Sequence, residues 1–459
     1  MAKKQVSAAA PAPANRPPYM LIEEIRVQGY KSLVDATLHV RPLTLLAGTN
    51  SSGKSSIMQP LLLIKQTMEA PYQPAGALVL DGAHVQAETA GELVSKNQKN
   101  IQGFVLNVSG FNWWGKDFVA GQYEQKFGVE DDNFRLMYQK SILKDKSSIL
   151  IPNTSGNELS EDVLTDLQLG FPTKLDEVSG EVISQNGFLR VQRRRADGQT
   201  LGSVVYTSYI EDSLAEIMHI PGLRGGPRRS YSATSFQNQV KGTFDIYTAG
   251  TISQWQEKGK NEALNQLNDY LRRLGLTDSV TAKVKNANEV ELSVSRLPAG
   301  SKGKPRKADM VNIADVGIGV SQVLPILVAL IAAQEGQIVY VEQPELHLHP
   351  RAQVAMAELL AEAANRGVRV IVETHSSLLL LTVQTMVAEA KIKPEDVALH
   401  WFSRDAKGAT TVRHEQPDEN GAYGDWPEDF GDVEMTAQRA YLDAVTKRRP
   451  KRQSKPTDA

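Results

Sequence analysis

Three short segments carry the residue types best suited to chemistry. The first is Gly48-Thr-Asn-Ser-Ser-Gly53-Lys54-Ser55, which matches the phosphate-loop pattern G-x-x-x-x-G-K-[ST]. Its glycines let the backbone curl so that several N–H groups point inward at phosphate oxygens, and a helix N-terminus behind it favours an anion. Asn50, Ser51, Ser52, Gly53 and Ser56 belong to this cradle. Lys54 is expected to reach the β- and γ-phosphates of a nucleotide, and the Ser55 hydroxyl to ligate Mg²⁺. The second segment follows Ile338-Val-Tyr-Val341 and reads Glu342-Gln343-Pro344-Glu345-Leu346-His347-Leu348-His349. A strand ending in an acid can hold Mg²⁺ beside the phosphate loop, and Glu342 takes that place. The next position should polarise an attacking water. It holds Gln343, whose amide cannot accept a proton as a carboxylate does. Glu345 is the nearest replacement. The third segment, Val368-Arg-Val-Ile-Val-Glu-Thr-His375, ends in a histidine whose neutral ring could donate a hydrogen bond to the γ-phosphate. His347 and His349 are an incomplete ligand set in a chain without cysteine, so they read as shaping a turn.

These segments need strands that end side by side. Leu43–Ala47, Gln337–Val341 and Val368–Val372 are short β-rich runs, each ending in a polar segment followed by a helix. That is the pattern of buried parallel strands with crossovers. The expected helices begin near Ser56 and span Val323–Ala333. Residues 91–308 read as a mixed, β-rich insertion. Phe188–Arg195 and Ser203–Tyr209 flank the turn text Asp197-Gly198 as a hairpin. Val280–Val284 and Val290–Val294 suggest another hairpin, and Val397–Ser403 with Thr410–His414 a third. Leu264, Leu267, Leu271 and Leu274 predict a helix over Asn261–Leu274. No long heptad run or internal repeat is present. The expected layout is a disordered arm at 1–18, half of an α/β domain with the phosphate loop at 19–90, the insertion lobe at 91–308, the second half at 309–446, and a basic disordered tail at 447–459.

Composition bounds the reading. The chain has 459 residues, no cysteine, 41% hydrophobic residues, and 51 Lys+Arg against 53 Asp+Glu. That is ample for a large core, and it excludes disulfides, thiolate zinc sites and a cysteine nucleophile. A net charge of −2 excludes a globally basic nucleic-acid binder. The apolar run Leu324–Ala333 is too short to span a bilayer, and the start of the chain lacks a signal-peptide pattern. The expectation is a soluble cytoplasmic protein without membrane contact. Local basic features remain: the glycine-rich loop around Arg224, Arg228 and Arg229, the hairpin arginines Arg193–Arg195, the run from Lys302 to Lys307, and the tail. Trp113 and Trp114 read as core anchors rather than base-stacking platforms.

Together the three segments resemble the ABC-type AAA ATPase heads of the SMC, RecF and OLD group. Ile22-Glu-Glu-Ile-Arg-Val-Gln-Gly29-Tyr-Lys31 looks like that group's first strand and turn. Asp315-Val-Gly317-Ile-Gly319-Val-Ser321-Gln322 resembles its divergent signature motif, as found in prokaryotic antiphage-defence ATPases of the PARIS AriA and Septu PtuA kind. The segment Gly424–Phe430 is similar to a short module of such proteins. The resemblance implies an ABC-ATPase head: a P-loop parallel-sheet core plus antiparallel β strands. It implies ATP and Mg²⁺ as cofactors, sandwiched between two heads of a homo-oligomer. Gly317, Gly319 and Ser321 would then touch the γ-phosphate of ATP held by the other head. OLD proteins carry a nuclease domain after the ATPase. Too little chain follows His375 for one, so a separate effector such as a nuclease is expected, with this chain as sensor or scaffold. With Gln343 in the usual glutamate position, turnover is expected to be slow. The other reading is a RecF-like repair ATPase acting on DNA. A transporter subunit fits less well, because the signature differs.

Overall fold

The computed structural model describes residues 20–71, 77–97, 102–114, 117–143, 146–155, 178–195, 199–204, 208–235, 240–296, 309–424 and 439–442. The 1–18 arm, the Asp197-Gly198 turn, the Lys302–Lys307 run, most of Gly424–Phe430 and the 447–459 tail lie outside the described residues, as do the side chains of Trp113, Trp114 and Arg195.

The chain opens with β1 (Leu21–Tyr30), β2 (Leu33–His39) and β3 (Leu43–Gly48), followed by α1 (Gln59–Glu69). Four long strands follow, β4 (Gly103–Trp114), β5 (Asp117–Glu130), β6 (Asn133–Leu143) and β7 (Lys146–Leu150). A further three, β8 (Val178–Gln185), β9 (Phe188–Arg195) and β10 (Thr200–Val204), precede α2 (Ser208–Ala215) and β11 (Met218–Ile220). Next come β12 (Tyr231–Ser232), α3 (Thr248–Glu257), α4 (Asn261–Arg273), β13 (Val280–Asn286), β14 (Glu289–Ser295) and β15 (Met310–Asn312). The C-terminal part holds α5 (Ile318–Ala332), β16 (Ile338–Glu342), α6 (Pro350–Asn365), β17 (Arg369–Glu373), α7 (Ser377–Ala388), β18 (Val397–Arg404) and β19 (Thr410–Glu415).

The central sheet has the order β11-β16-β17-β3-β18-β19. All neighbours are parallel except the final hairpin. Its strands carry apolar residues on both faces, as a doubly covered sheet requires. Val339, Val341, Val370 and Val372 face a core built with α3 to α7. Ile338, Tyr340, Ile371 and Phe402 face a second core built with α1 and the antiparallel sheet. This division follows from the two-residue period of a strand. The antiparallel sheet has the order β2-β1-β4-β5-β6-β7. Smaller sheets are β10-β9-β8 and β12-β14-β13, with β15 added on β14. The architecture is therefore a mixed α/β one, a P-loop parallel sheet beside antiparallel β strands.

Strands from residues 91–308 are spread over all four sheets, and β11 forms the edge of the central one. A three-residue strand, Met218-His-Ile220, lacks the length that marks a strand in sequence. The hairpins β13–β14 and β18–β19 pair as expected, with Val280 opposite Val294 and Val284 opposite Val290. β9 pairs with β10, but the expected strand over Ser203–Tyr209 ends early, and Tyr209 lies in α2. The helix behind the phosphate loop begins with a 3₁₀ turn, Ser55–Ile57, before α1 starts at Gln59. Pro60 sits in the first turn of α1, where its missing N–H costs nothing. Among the described residues no helix is long and apolar enough to cross a membrane.

Candidate nucleotide site

The register brings three strand ends together. Glu342 on β16 lies opposite Glu373 on β17, and Glu373 opposite Leu46 on β3. The loop from Gly48 to Ser55 leaves the sheet at this edge. Gly48 is at φ +140°, and a Cβ there would sit 2.0 Å from the Phe402 carbonyl oxygen, so the loop can start here only as glycine. Gly53 is at φ +100°, and its Cβ position lies 2.6 Å from Thr410 Oγ1. That hydroxyl is 2.7 Å from the Ser52 carbonyl oxygen and 2.7 Å from Ser32 Oγ. A carbonyl can only accept, so Thr410 donates to Ser52 and takes a hydrogen from Ser32. The loop is thereby pinned from the β1–β2 turn and from β19. Thr49, Asn50 and Ser51 stay exposed at its crest. The amides of Gly53, Lys54 and Ser55 precede the first helical bond, Ser56 N to Gly53 O at 3.1 Å. Lying ahead of the first helical bond, they have no helical partner, as an anion site at a helix start needs.

Lys54 is 4% exposed and folds over its own loop, donating to Gly48 O at 3.1 Å and Thr49 O at 2.8 Å. Burial lowers its pKa, while Glu373 and Glu345 pull it back up. The Ser55 hydroxyl lies near the Glu373 carboxylate and favours its ionised form. Burial pushes the Glu373 carboxyl above its ordinary value and the nearby Glu342 charge adds to this, against Ser55 and Lys54. The Tyr340 hydroxyl donates to Glu373 Oε2 at 3.3 Å.

Glu342 is held on both oxygens. His219 Nε2 lies 3.2 Å from Oε1, and the Gly222 amide donates to Oε2 at 3.0 Å. Burial raises this carboxyl, but the His219 and Gly222 contacts outweigh it and hold it below the ordinary value. The His219 ring stacks on Tyr340 and its Nδ1 meets His84 Nδ1 at 3.0 Å. Two carboxylates and a hydroxyl beside a lysine form a hard, all-oxygen donor set. Such a set suits Mg²⁺ rather than a soft metal.

Gln343 adopts φ +46°, with its amide donating to the Glu373 carbonyl at 2.7 Å. This left-handed residue turns the chain so that Glu345 comes back toward the site. Glu345 Oε1 accepts from the His375 amide at 2.6 Å, and its buried Oε2 has no hydrogen bond of good geometry. Burial pushes the Glu345 carboxyl up, against His375, Thr374 and Arg224. A carboxyl shifted upward is better matched to taking a proton near neutral pH. Burial and the Lys54 charge lower the His375 pKa, which favours the neutral ring. His349 caps α6, accepting from the Arg351 amide, and His347 sits at φ +62°. Among the described residues no cluster of three or more His, Asp or Glu has the placement of a metal site of its own.

The structure gathers Lys54, Ser55, Glu342, Glu345 and His375 at one sheet edge. Gly317, Gly319 and Ser321 stand apart from them. Gly317 caps α5 and is exposed, and the Cβ position of Gly319 is 3.6 Å from the His347 carbonyl oxygen. Ser321 Oγ donates to Ile318 O at 2.8 Å. Among the described residues no hydrogen bond joins this motif to the phosphate loop. Three residues were not anticipated as site residues. Glu373 ends a β strand in an acid just as Glu342 does, and that parallel was visible in sequence. His219 and Thr410 come from remote strands and left no local signal.

Comparison with known proteins finds matches to both parts of the chain that form this edge. A model described as an AAA ATPase domain matches residues 20–162, which include the phosphate loop. A model described as an AAA domain, putative AbiEii toxin, Type IV TA system, matches residues 252–381, which include the other two segments. The Old nuclease of Escherichia phage P2 is 20% identical over 380 residues, covering 78% of this chain. The chain spans 57% of the length of that relative. Among solved structures, an Smc head bound to the C-winged helix domain of ScpA has a TM-score of 0.49 at 13% identity, covering 87% of this chain and 98% of that one. A Pyrococcus furiosus Smc head with an extended coiled coil, bound to the C-terminal domain of ScpA, gives 0.46 at 11%, covering 94% and 100%. Two stretches of the chain thus match models described as AAA domains, and the chain is distantly similar to the Old nuclease.

Proposed function

We propose that the protein is an ATP-dependent switch that binds ATP with Mg²⁺, hydrolyses it slowly, and changes its association state in doing so. The supporting observation is the Walker-type turn itself. Glu342 and Glu373 flank Ser55 and Lys54, while the position after Glu342 holds an amide and the next carboxylate along the turn is Glu345, whose Oε2 has no hydrogen bond of good geometry. Ser55 and Glu342 would hold the metal, with Glu373 behind them. Mg²⁺ would neutralise charge on the β- and γ-phosphates. Lys54 and the loop amides bind and orient the phosphates. Glu345 accepts the proton of the attacking water, and the His375 ring donates toward the γ-phosphate. The remaining binding surface comes from a second head, whose Gly317, Gly319 and Ser321 cover the phosphate.

In this reading the ATP-bound pair is the sensor or scaffold of a defence system, and its effector is a separate protein such as a nuclease. The resemblance to defence ATPases and the match to a model described as a putative toxin of a toxin–antitoxin system support it. The test is a comparison of ATP binding with ATP turnover, followed by purification of the ATP-bound protein from its host. Slow turnover with tight binding, both lost in Lys54→Ala, is the expected result. Brisk turnover would overturn the slow switch. DNA-stimulated turnover with no co-purifying effector would replace the defence role with a RecF-like one.

A further inference from the structure

Between β11 and β12 the chain crosses the site as a strap. It is anchored at its start by Gly222 on Glu342 and near its end by Arg229, which forms a two-pronged ion pair with Asp315 at 2.7 and 3.2 Å. Midway lies Arg224. Arginine is seldom buried without partners, yet this one is only 8% exposed. Its Nη2 donates to the Gln343 carbonyl at 3.0 Å, and its Nε lies 3.4 Å from Gln322 Oε1. Gln322 is 2% exposed and returns the contact, donating to the carbonyls of Arg224 at 3.2 Å and Gly225 at 3.0 Å. Gln322 follows Ser321 near the N-terminal end of α5. Gln343 is the left-handed residue that aims the Glu345 turn. One planar side chain thus joins the start of α5 to the hydrolytic turn of the same chain.

We propose that Arg224 is a positioning residue that couples the N-terminal end of α5 to the Gln343–Glu345 turn, so that a ligand meeting α5 sets the geometry of the chain's own hydrolytic carboxylate. This deepens the sandwich reading and rests on it. In a two-headed assembly α5 meets the ATP of the other head, so Arg224 links the two composite sites. The guanidinium suits the task. Its fork makes two directed contacts at once, which a lysine ammonium on a flexible stem does not reproduce. Burial lowers the Arg224 pKa to about 10, and the acidic neighbours Glu345, Asp245 and Glu342 support its charge. It stays a cation at neutral pH. Its Nη1 is buried without a hydrogen-bond partner, in keeping with a group held for its position rather than for saturation.

The test uses the full chain with Arg224→Lys, Gln322→Leu and the double variant. Lysine keeps the buried charge, and leucine breaks the tie from the other end while leaving the charge in place. Direct nucleotide binding and steady-state turnover are measured for each. The expected result is a fall in kcat on the order of a hundredfold, the scale reported for misplacement of a reacting group. Nucleotide affinity should change by less than about twofold, and the double variant should be no slower than the slower single one. The proposal is overturned if Arg224→Lys turns over within about twofold of the parent protein, or if the two single effects multiply in the double variant. A parent protein that neither binds ATP nor turns it over would instead overturn the underlying ATPase reading, and Lys54→Ala provides the reference for that outcome.

Discussion

The two six-stranded sheets of this protein use β structure in opposite ways. In the central parallel sheet β3 is buried at all six positions, and β17 at all five. In the antiparallel sheet the burial pattern of β1 and β6 alternates, and polar residues line one face. There Arg26 pairs with Asp35 and Tyr138 donates to Glu124, both accessible to solvent. A sheet covered on both sides has no wet face, so its polar chemistry can sit only at strand ends. The residues proposed to hold phosphate and metal within one head, Lys54, Ser55, Glu342 and His375, lie there, at the C-terminal edge where open α/β sheets bind ligands. A sheet with one wet face spreads its charges along the strands, where water screens them. Charged residues should therefore matter for function at the edge of the first sheet and matter little on the face of the second.

The sharpest test of this contrast is Glu345→Gln. Replacing a general base is expected to lower kcat by about a hundredfold or more, with ATP affinity kept. Burial raises the Glu345 carboxyl, so the parent protein should lose activity as pH falls through a value above the ordinary carboxylate range. The ionised form does the work, and protonation removes it; the acid limb should disappear in the variant. A pH–rate profile of both proteins checks this, and an unchanged kcat would remove Glu345 as the base.

Packing provides the next test. Ile371 is 0% exposed in the middle of the parallel sheet, whereas Met137 on the antiparallel sheet is 50% exposed. Ile371→Ala should cost about 2–5 kcal/mol of stability, as buried large-to-small changes do. Met137→Ala should stay within about 0.5 kcal/mol. Denaturant midpoints at constant m-value distinguish the two. Equal costs would show that both sheets are covered alike.

The smallest effect is expected at Arg26→Ala. Its pair with Asp35 is well formed, but both side chains are more than two-fifths exposed. The loss should be within about 1 kcal/mol and should shrink further as salt is added. ATP turnover should be unaffected. A larger loss, insensitive to salt, would mean that the antiparallel face is covered in the working assembly.

The same contrast explains what could be read from sequence. The parallel strands announce themselves as short, continuous apolar runs ending in Gly48, Glu342 and His375, because a strand buried on both faces leaves no polar alternation. The hairpins β13–β14 and β18–β19 were visible through their alternation and intervening turn residues. What was hidden depends on long-range pairing. The three residues of β11 become a strand only because β16 offers its free edge, and they deliver His219 to Glu342. Thr410 closes the phosphate loop from the far end of the chain, with nothing in its neighbourhood to mark it. Arg224 stood out only as one of several basic residues in a glycine-rich loop; its burial between Gln322 and Gln343 is a tertiary fact. The helix start at Ser56 was misplaced because a 3₁₀ turn and Pro60 intervene before the α-helical bonds begin.

The central claim is that ATP is held between two heads. It is tested most directly by measuring molar mass in solution, by light scattering after size exclusion, with and without ATP–Mg²⁺, for the parent protein and Lys54→Ala. The account predicts that ATP–Mg²⁺ doubles the mass of the parent protein and leaves Lys54→Ala unchanged. A mass unaffected by ATP–Mg²⁺, or doubled equally in Lys54→Ala, would contradict it.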